Sequence, residues 1–70
     1  MPMDMKQSLI EYRFESGPKR GRRYLGIVPR YVSAGTTLRI EGQEAIVMMS
    51  RPPVEMDKVM YRDVEEDPRA

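Results

Sequence analysis

The sequence predicts a mostly β protein, a small curled antiparallel sheet of four to five strands, on three observations. Ile10, Tyr12 and Phe14 alternate with Glu11, Arg13 and Glu15, the period of a strand with one buried face. Further apolar runs follow, separated by the turn-forming segments Ser16-Gly17-Pro18-Lys19-Arg20-Gly21, Ser33-Ala34-Gly35 and Gly42-Gln43. The chain has 70 residues and neither cysteine nor histidine. No disulfide or Cys/His metal site can staple it, so the strands themselves must enclose a core.

Taken in order, residues 1–6 hold three methionines and a proline without period and are expected to be a flexible leader. Residues 7–64 form the single small β domain. The first strand runs through Ile10–Glu15, and Arg22–Val28 reads as the second, with Tyr24, Leu25, Ile27 and Val28. The six residues between them permit antiparallel pairing. The register expected here sets Glu15 against Arg22, Arg13 against Tyr24, Tyr12 against Leu25 and Ile10 against Ile27. It gathers Ile10, Tyr12, Phe14, Leu25 and Ile27 on one face and leaves Arg13, Arg22 and Tyr24 on the other. Pro29 has no amide hydrogen to donate and should mark an edge or a strand's end.

Thr36–Glu41 is the third strand, with Leu38 and Ile40 inward. Gly42-Gln43 suits a type II′ turn, which sets Ile40 against Ala45 and Leu38 against Val47 of the returning strand, Glu44–Ser50. Met48 and Met49 are neighbours there, so one should point in and the other out. Arg51-Pro52-Pro53 stops the strand. Residues 54–64 are ambiguous. Val59–Val64 reads as a fifth strand, the preferred reading, yet Met56, Val59, Met60 and Val64 also fall at helical spacing, which would make a short C-terminal helix. Residues 65–70, EEDPRA, are expected to be an acidic flexible tail. An SH3-like or OB-like partly open barrel is the natural closed form of such a sheet. Barrels of this shape host many unrelated functions, so the fold alone decides little.

Composition excludes several chemistries. Without histidine and cysteine there is no thiol catalysis, no Ser-His-Asp triad, no zinc finger and no histidine pH switch. The serines have no base at a telling spacing, and a core this small leaves little room for a substrate pocket. The chain is therefore expected not to be an enzyme, and no cofactor is expected. Asp63, Glu65, Glu66 and Asp67 lack the pattern of a calcium loop, so no metal is expected. No apolar run reaches the roughly 18 residues of a membrane span. The N-terminus has no basic flank before an apolar stretch and does not read as a signal peptide. The cytoplasm is the expected compartment, which the lack of cysteine permits.

Charge gives the functional expectation. The net charge of +1 conceals an asymmetry: residues 1–35 carry seven basic and three acidic side chains, residues 36–70 five and eight. Such poles suit a charged partner, or they neutralise each other within a small fold. Lys19, Arg20, Arg22 and Arg23 place four cations within five positions, and glycine at 17 and 21 lets backbone amides approach a ligand. This loop is expected to contact phosphates as a non-catalytic nucleic-acid-binding module, with Arg13 and Tyr24 extending the surface along the hairpin. Four phosphate contacts imply a salt slope near −3.6, at roughly 0.9 per contact, so the affinity would be modest. The loop is not a Walker loop, because it lacks the Gly-Lys-Ser/Thr ending. The alternative is a small regulator or inhibitor that docks on a partner protein through an exposed sheet edge, with Met, Tyr and Arg anchors. Edge pairing would equally allow a homodimer.

Overall fold

A computed structural model describes residues 7–67, apart from the side chains of residues 57–59. Four strands, β1 (Ser8–Phe14), β2 (Arg23–Val28), β3 (Thr37–Ile40) and β4 (Gln43–Arg51), form one antiparallel sheet in the order β2-β1-β4-β3. A short helix, α1 (Glu55–Met60), follows. The fold is mostly β, as the alternation predicts. The expected leader at 1–6 lies outside the described residues. No helix among the described residues is long and apolar enough to cross a membrane.

The core is built by period two. Ile10, Tyr12 and Phe14 of β1 meet Leu38 and Ile40 of β3, Ala45 and Val47 of β4, and Val28 of β2. Phe14, 2% exposed, is the largest of the fully buried side chains. Val32 and Val64 complete the cluster from outside the strands. Val32 is held there by hydroxyls. Ser8 accepts from the Val32 amide (3.2 Å) and donates to the Arg30 carbonyl (3.0 Å), while Ser50 donates to the Val32 carbonyl. Pro29 follows directly on the last residue of β2, the strand's end that its missing donor implies.

The β1–β2 register differs from expectation by one residue. Tyr12 faces Tyr24, Arg13 faces Arg23, Glu11 faces Leu25 and Ile10 faces Gly26. A slip of one reverses the faces of β2. Tyr24 therefore packs against the core, and Leu25 is 44% exposed. The pattern in β2 could not decide this, because Tyr24 and Val28 supply one apolar face and Leu25 and Ile27 the other. Both ends of the Leu9–Ile27 pair are buried as well, on the face opposite Ile10.

The second hairpin turns one residue earlier than expected, through Glu41-Gly42. Both have positive φ (56° and 75°), the signature of a type I′ turn rather than II′. Leu38 now pairs with Ala45 and Ile40 with Gln43. This displacement is even, so Leu38 and Ile40 keep the inward face. Between β1 and β4 the register shifts at Glu11/Tyr12: Tyr12 faces Val47, whereas Glu11 faces Met49. Met48 is the extra residue of this bulge and is exposed. Met49 lies half-buried across from Glu11, so neither methionine enters the core, contrary to the expected one-in, one-out arrangement. The bulge also brings Ser50 opposite Ile10, on the side where its hydroxyl reaches Val32.

The last segment is helix first and strand-like afterwards. Residues 55–60 take the helical alternative, which corrects the preferred reading of one strand through Val59–Val64. After the helix the chain runs along β2 for a single parallel bridge, Ile27 to Asp63, with Ile27 donating to the Arg62 carbonyl (3.0 Å) and Val64 donating to the Ile27 carbonyl (2.7 Å). Gly26 makes this crossing feasible. A Cβ there would lie 2.1 Å from Val64 Cγ2. The chain then reaches the opposite edge of the sheet, where the Asp67 amide donates to the Arg39 carbonyl (2.8 Å) and the Asp67 carboxylate accepts from the Gly42 amide (2.6 Å). Residues 62–67 thus form a strap between the two edge strands. Of the expected 65–70 tail, residues 68–70 lie outside the described residues. Glu66 instead makes a two-point ion pair with Arg30 (2.8 and 2.9 Å).

Candidate binding site

The residues expected to form a nucleic-acid surface divide between the outer face, the loop and the core. The loop between β1 and β2 is pinned by its backbone. Phe14 donates to the Arg22 carbonyl (3.0 Å), and the Gly21 amide donates to the Phe14 carbonyl (2.7 Å), so it is already engaged within the hairpin. Two consecutive turns fold residues 17–22, with Arg20 donating to the Gly17 carbonyl (3.1 Å) and Arg22 to the Lys19 carbonyl (2.9 Å). The side chains then diverge. Arg13 and Arg23 share the outer face as direct cross-strand partners, a repulsive pairing that two carboxylates offset. Arg13 binds Glu15 through two nitrogens (2.9 and 3.0 Å), and Arg23 meets Glu11 at 3.4 Å. The expected Glu15–Arg22 contact is replaced by Glu15–Arg13. Lys19 pairs with Glu41 at 3.2 Å. Arg20 and Arg22 are exposed, and no carboxylate among the described residues pairs with them.

Tyr24 belongs to another place altogether. The one-residue slip puts it on the core face, where Tyr12, Phe14 and Tyr24 form a mutual ring cluster with centroids 5.6 to 5.9 Å apart. These rings floor a cleft of about 230 Å³ at the gap between β2 and the second hairpin. Lys19 and Glu41 stand on one rim, and Arg62, Asp63 and Glu65 of the strap on the other. The Lys19 Nζ lies 5.6 Å from the Tyr24 ring centroid and 5.9 Å from that of Phe14, within reach of a cation–π attraction. Tyr12 is 8% exposed. Burial pushes its phenol above the ordinary value of 10, and the Glu41 carboxylate adds to the rise.

The sequence pattern singled out Lys19 and Tyr24 but set Tyr24 on the outer face, from which the one-residue slip removes it. It missed Glu41, whose only local sign was a glycine following it. Glycine in second place fits a two-residue turn with positive φ at both positions. Arg62, Asp63 and Glu65 carry no such sign, because the strap that places them depends on contacts distant in sequence. A more open hollow on the loop side brings Arg13 and Arg20 together beside Glu15 and Gly21. Among the described residues no group of three or more His, Cys, Asp or Glu is arranged to hold a metal ion. The site is therefore characterised by its geometry alone, for no protein-family model, curated protein or solved structure matches the chain.

Proposed function

We propose that the chain is a non-catalytic docking module whose partner is a protein, working in the cytoplasm. The observation that carries this reading is the internal pairing of the hairpin's charge. Of the five cations Arg13, Lys19, Arg20, Arg22 and Arg23, three already face carboxylates of the same chain. The two without a carboxylate partner among the described residues correspond to a salt slope near −1.8 on duplex DNA, at roughly 0.9 per phosphate. That is too weak a term to hold a phosphate backbone at cellular salt. Matched charges on the hairpin, together with exposed Tyr31, Met48, Met56 and Met60 elsewhere on the chain, suit the mixed, adaptable chemistry of a protein interface. The sheet edges contribute less than the sequence suggested, since the strap meets β2 at Ile27 and β3 at Arg39. The same narrowing applies to a homodimer formed by edge pairing.

A nucleic-acid reading retains one specific support. Arg20 and Arg22 stand exposed, and Arg20 shares a hollow with Arg13. One experiment separates the two. Fluorescence anisotropy with single- and double-stranded oligonucleotides is measured from low to physiological salt, beside capture of partners from a nuclease-treated lysate. The docking reading expects no binding at physiological salt, a slope no steeper than about −2, and a captured protein that survives nuclease. A slope near −3.6 with capture lost after nuclease would overturn it in favour of nucleic acid.

A further inference from the structure

The cleft over Tyr12, Phe14 and Tyr24 already holds a ligand, and that ligand is the protein's own ammonium group. Lys19 Nζ sits within cation–π distance of two rings and 3.2 Å from Glu41 Oε1. Its anchoring is light. The ammonium carries an exposed ion pair, a kind that contributes little. The turns around it are closed by backbone bonds, Arg20 to Gly17 and Arg22 to Lys19, so the side chain can swing out while the loop keeps its shape.

We propose that this cleft is a receptor for an alkylammonium head, the lysine side chain of a partner protein, and that Lys19 is an internal occupant which the partner displaces. The inference rests on the docking reading above and names the chemistry of its site. Charge supports it. With Lys19 withdrawn, the rim presents Glu41, Asp63 and Glu65 against Arg62 alone, a field that favours a cation and repels phosphate. Aromatic faces select the same ligand, since ring quadrupoles attract ammonium groups. Glu41 fits the role as well. It holds φ at 56°, a conformation in which asparagine or glycine would be the ordinary turn residue. A glutamate there sets a carboxylate on the rim of the aromatic floor.

The test uses choline and its uncharged carbon isostere, 3,3-dimethylbutan-1-ol, titrated into the full chain and followed by the ring-proton NMR signals of Tyr12, Phe14 and Tyr24. Choline is expected to shift these signals and the isostere to leave them unchanged. Lys19→Met keeps the aliphatic stem but removes the charge, and should bind choline on the order of tenfold more tightly. Tyr24→Leu should lose the response. Should Lys19→Met fail to fold, the native chain still gives an answer. The Lys19 Hε signals, shielded by the rings, should move to their free position as choline saturates. Equal shifts from choline and isostere, no gain in Lys19→Met, or Lys19 signals indifferent to choline would overturn the proposal. A chain that captures a protein but ignores choline loses this site alone. One that binds choline but captures no protein keeps the site and loses the docking reading.

Discussion

Hairpin β3–β4 reverses in two residues, Glu41 and Gly42, whereas β1–β2 takes eight, residues 15–22. A two-residue turn dictates its own register, because only one pairing closes it. An eight-residue loop leaves register to packing. The consequence is a division of labour. The tight hairpin supplies a fixed rim, with Glu41 set by backbone geometry. The long loop supplies Lys19, which reaches over the rings, and Arg20 and Arg22, which stand exposed. Function concentrates where a rigid support meets such an adaptable segment, and the aromatic cleft lies at that junction.

The contrast is broken most severely through glycine. In the first hairpin Gly26 is required by space, with Val64 Cγ2 2.1 Å from any added Cβ. In the second Gly42 is required by conformation, with φ at 75° and nothing within 4 Å. Gly26→Ala should therefore cost about 3 kcal/mol and release the strap. Gly42→Ala should cost about 1 kcal/mol and leave the strap in place. Urea midpoints measure the costs. Hydrogen exchange at the Val64 amide, bonded to Ile27 at 2.7 Å, reports the strap. Equal losses with equal protection would remove the distinction.

The next effect sharpens the register itself. Tyr24→Ala should destabilise by about 2 kcal/mol, since a half-buried ring in contact with Tyr12 and Phe14 is lost. Leu25→Ala should stay within about 0.5 kcal/mol, as an exposed substitution does. The order reverses if β2 pairs one residue further along. Chemical denaturation of the two single variants decides it.

The same two hairpins explain what the sequence made legible. Ile10, Tyr12, Phe14, Leu38, Ile40, Ala45 and Val47 could be placed in the core because polar residues alternate with most of them. The tight turn was misplaced by one residue, which shifts the pairing by an even number and leaves Leu38, Ile40, Ala45 and Val47 on their expected face. In β2 both faces are apolar, so a slip of one went undetected and exchanged Tyr24 for Leu25. Residues 55–64 satisfied helical and strand periods at once, and the chain uses each in turn. The basic loop was legible as exposed. Its partial neutralisation was not, because Lys19–Glu41 joins positions 22 apart, and the Arg30–Glu66 pair outside the loop joins positions 36 apart. Those two pairs are also where the basic first half meets the acidic second half.

The smallest effect is nil at neutral pH and appears only in alkali. Burial holds the Tyr12 phenol above its ordinary value of 10, and the nearby Glu41 and Tyr24 add to it, against an opposing contribution from Arg62. The unfolded chain then loses the Tyr12 proton at lower pH than the folded one. Between the ordinary value and the raised one the folded state binds more protons, so stability must fall as pH rises through that window. Below it the phenol contributes no pH dependence. Tyr12→Phe should flatten this alkaline limb, while Tyr31→Phe, at an exposed position, should leave it intact. Urea unfolding at intervals from pH 8 upward gives the comparison. A limb that survives in Tyr12→Phe would mean that the ring cluster at the mouth of the long-loop hairpin is wetter than its packing implies.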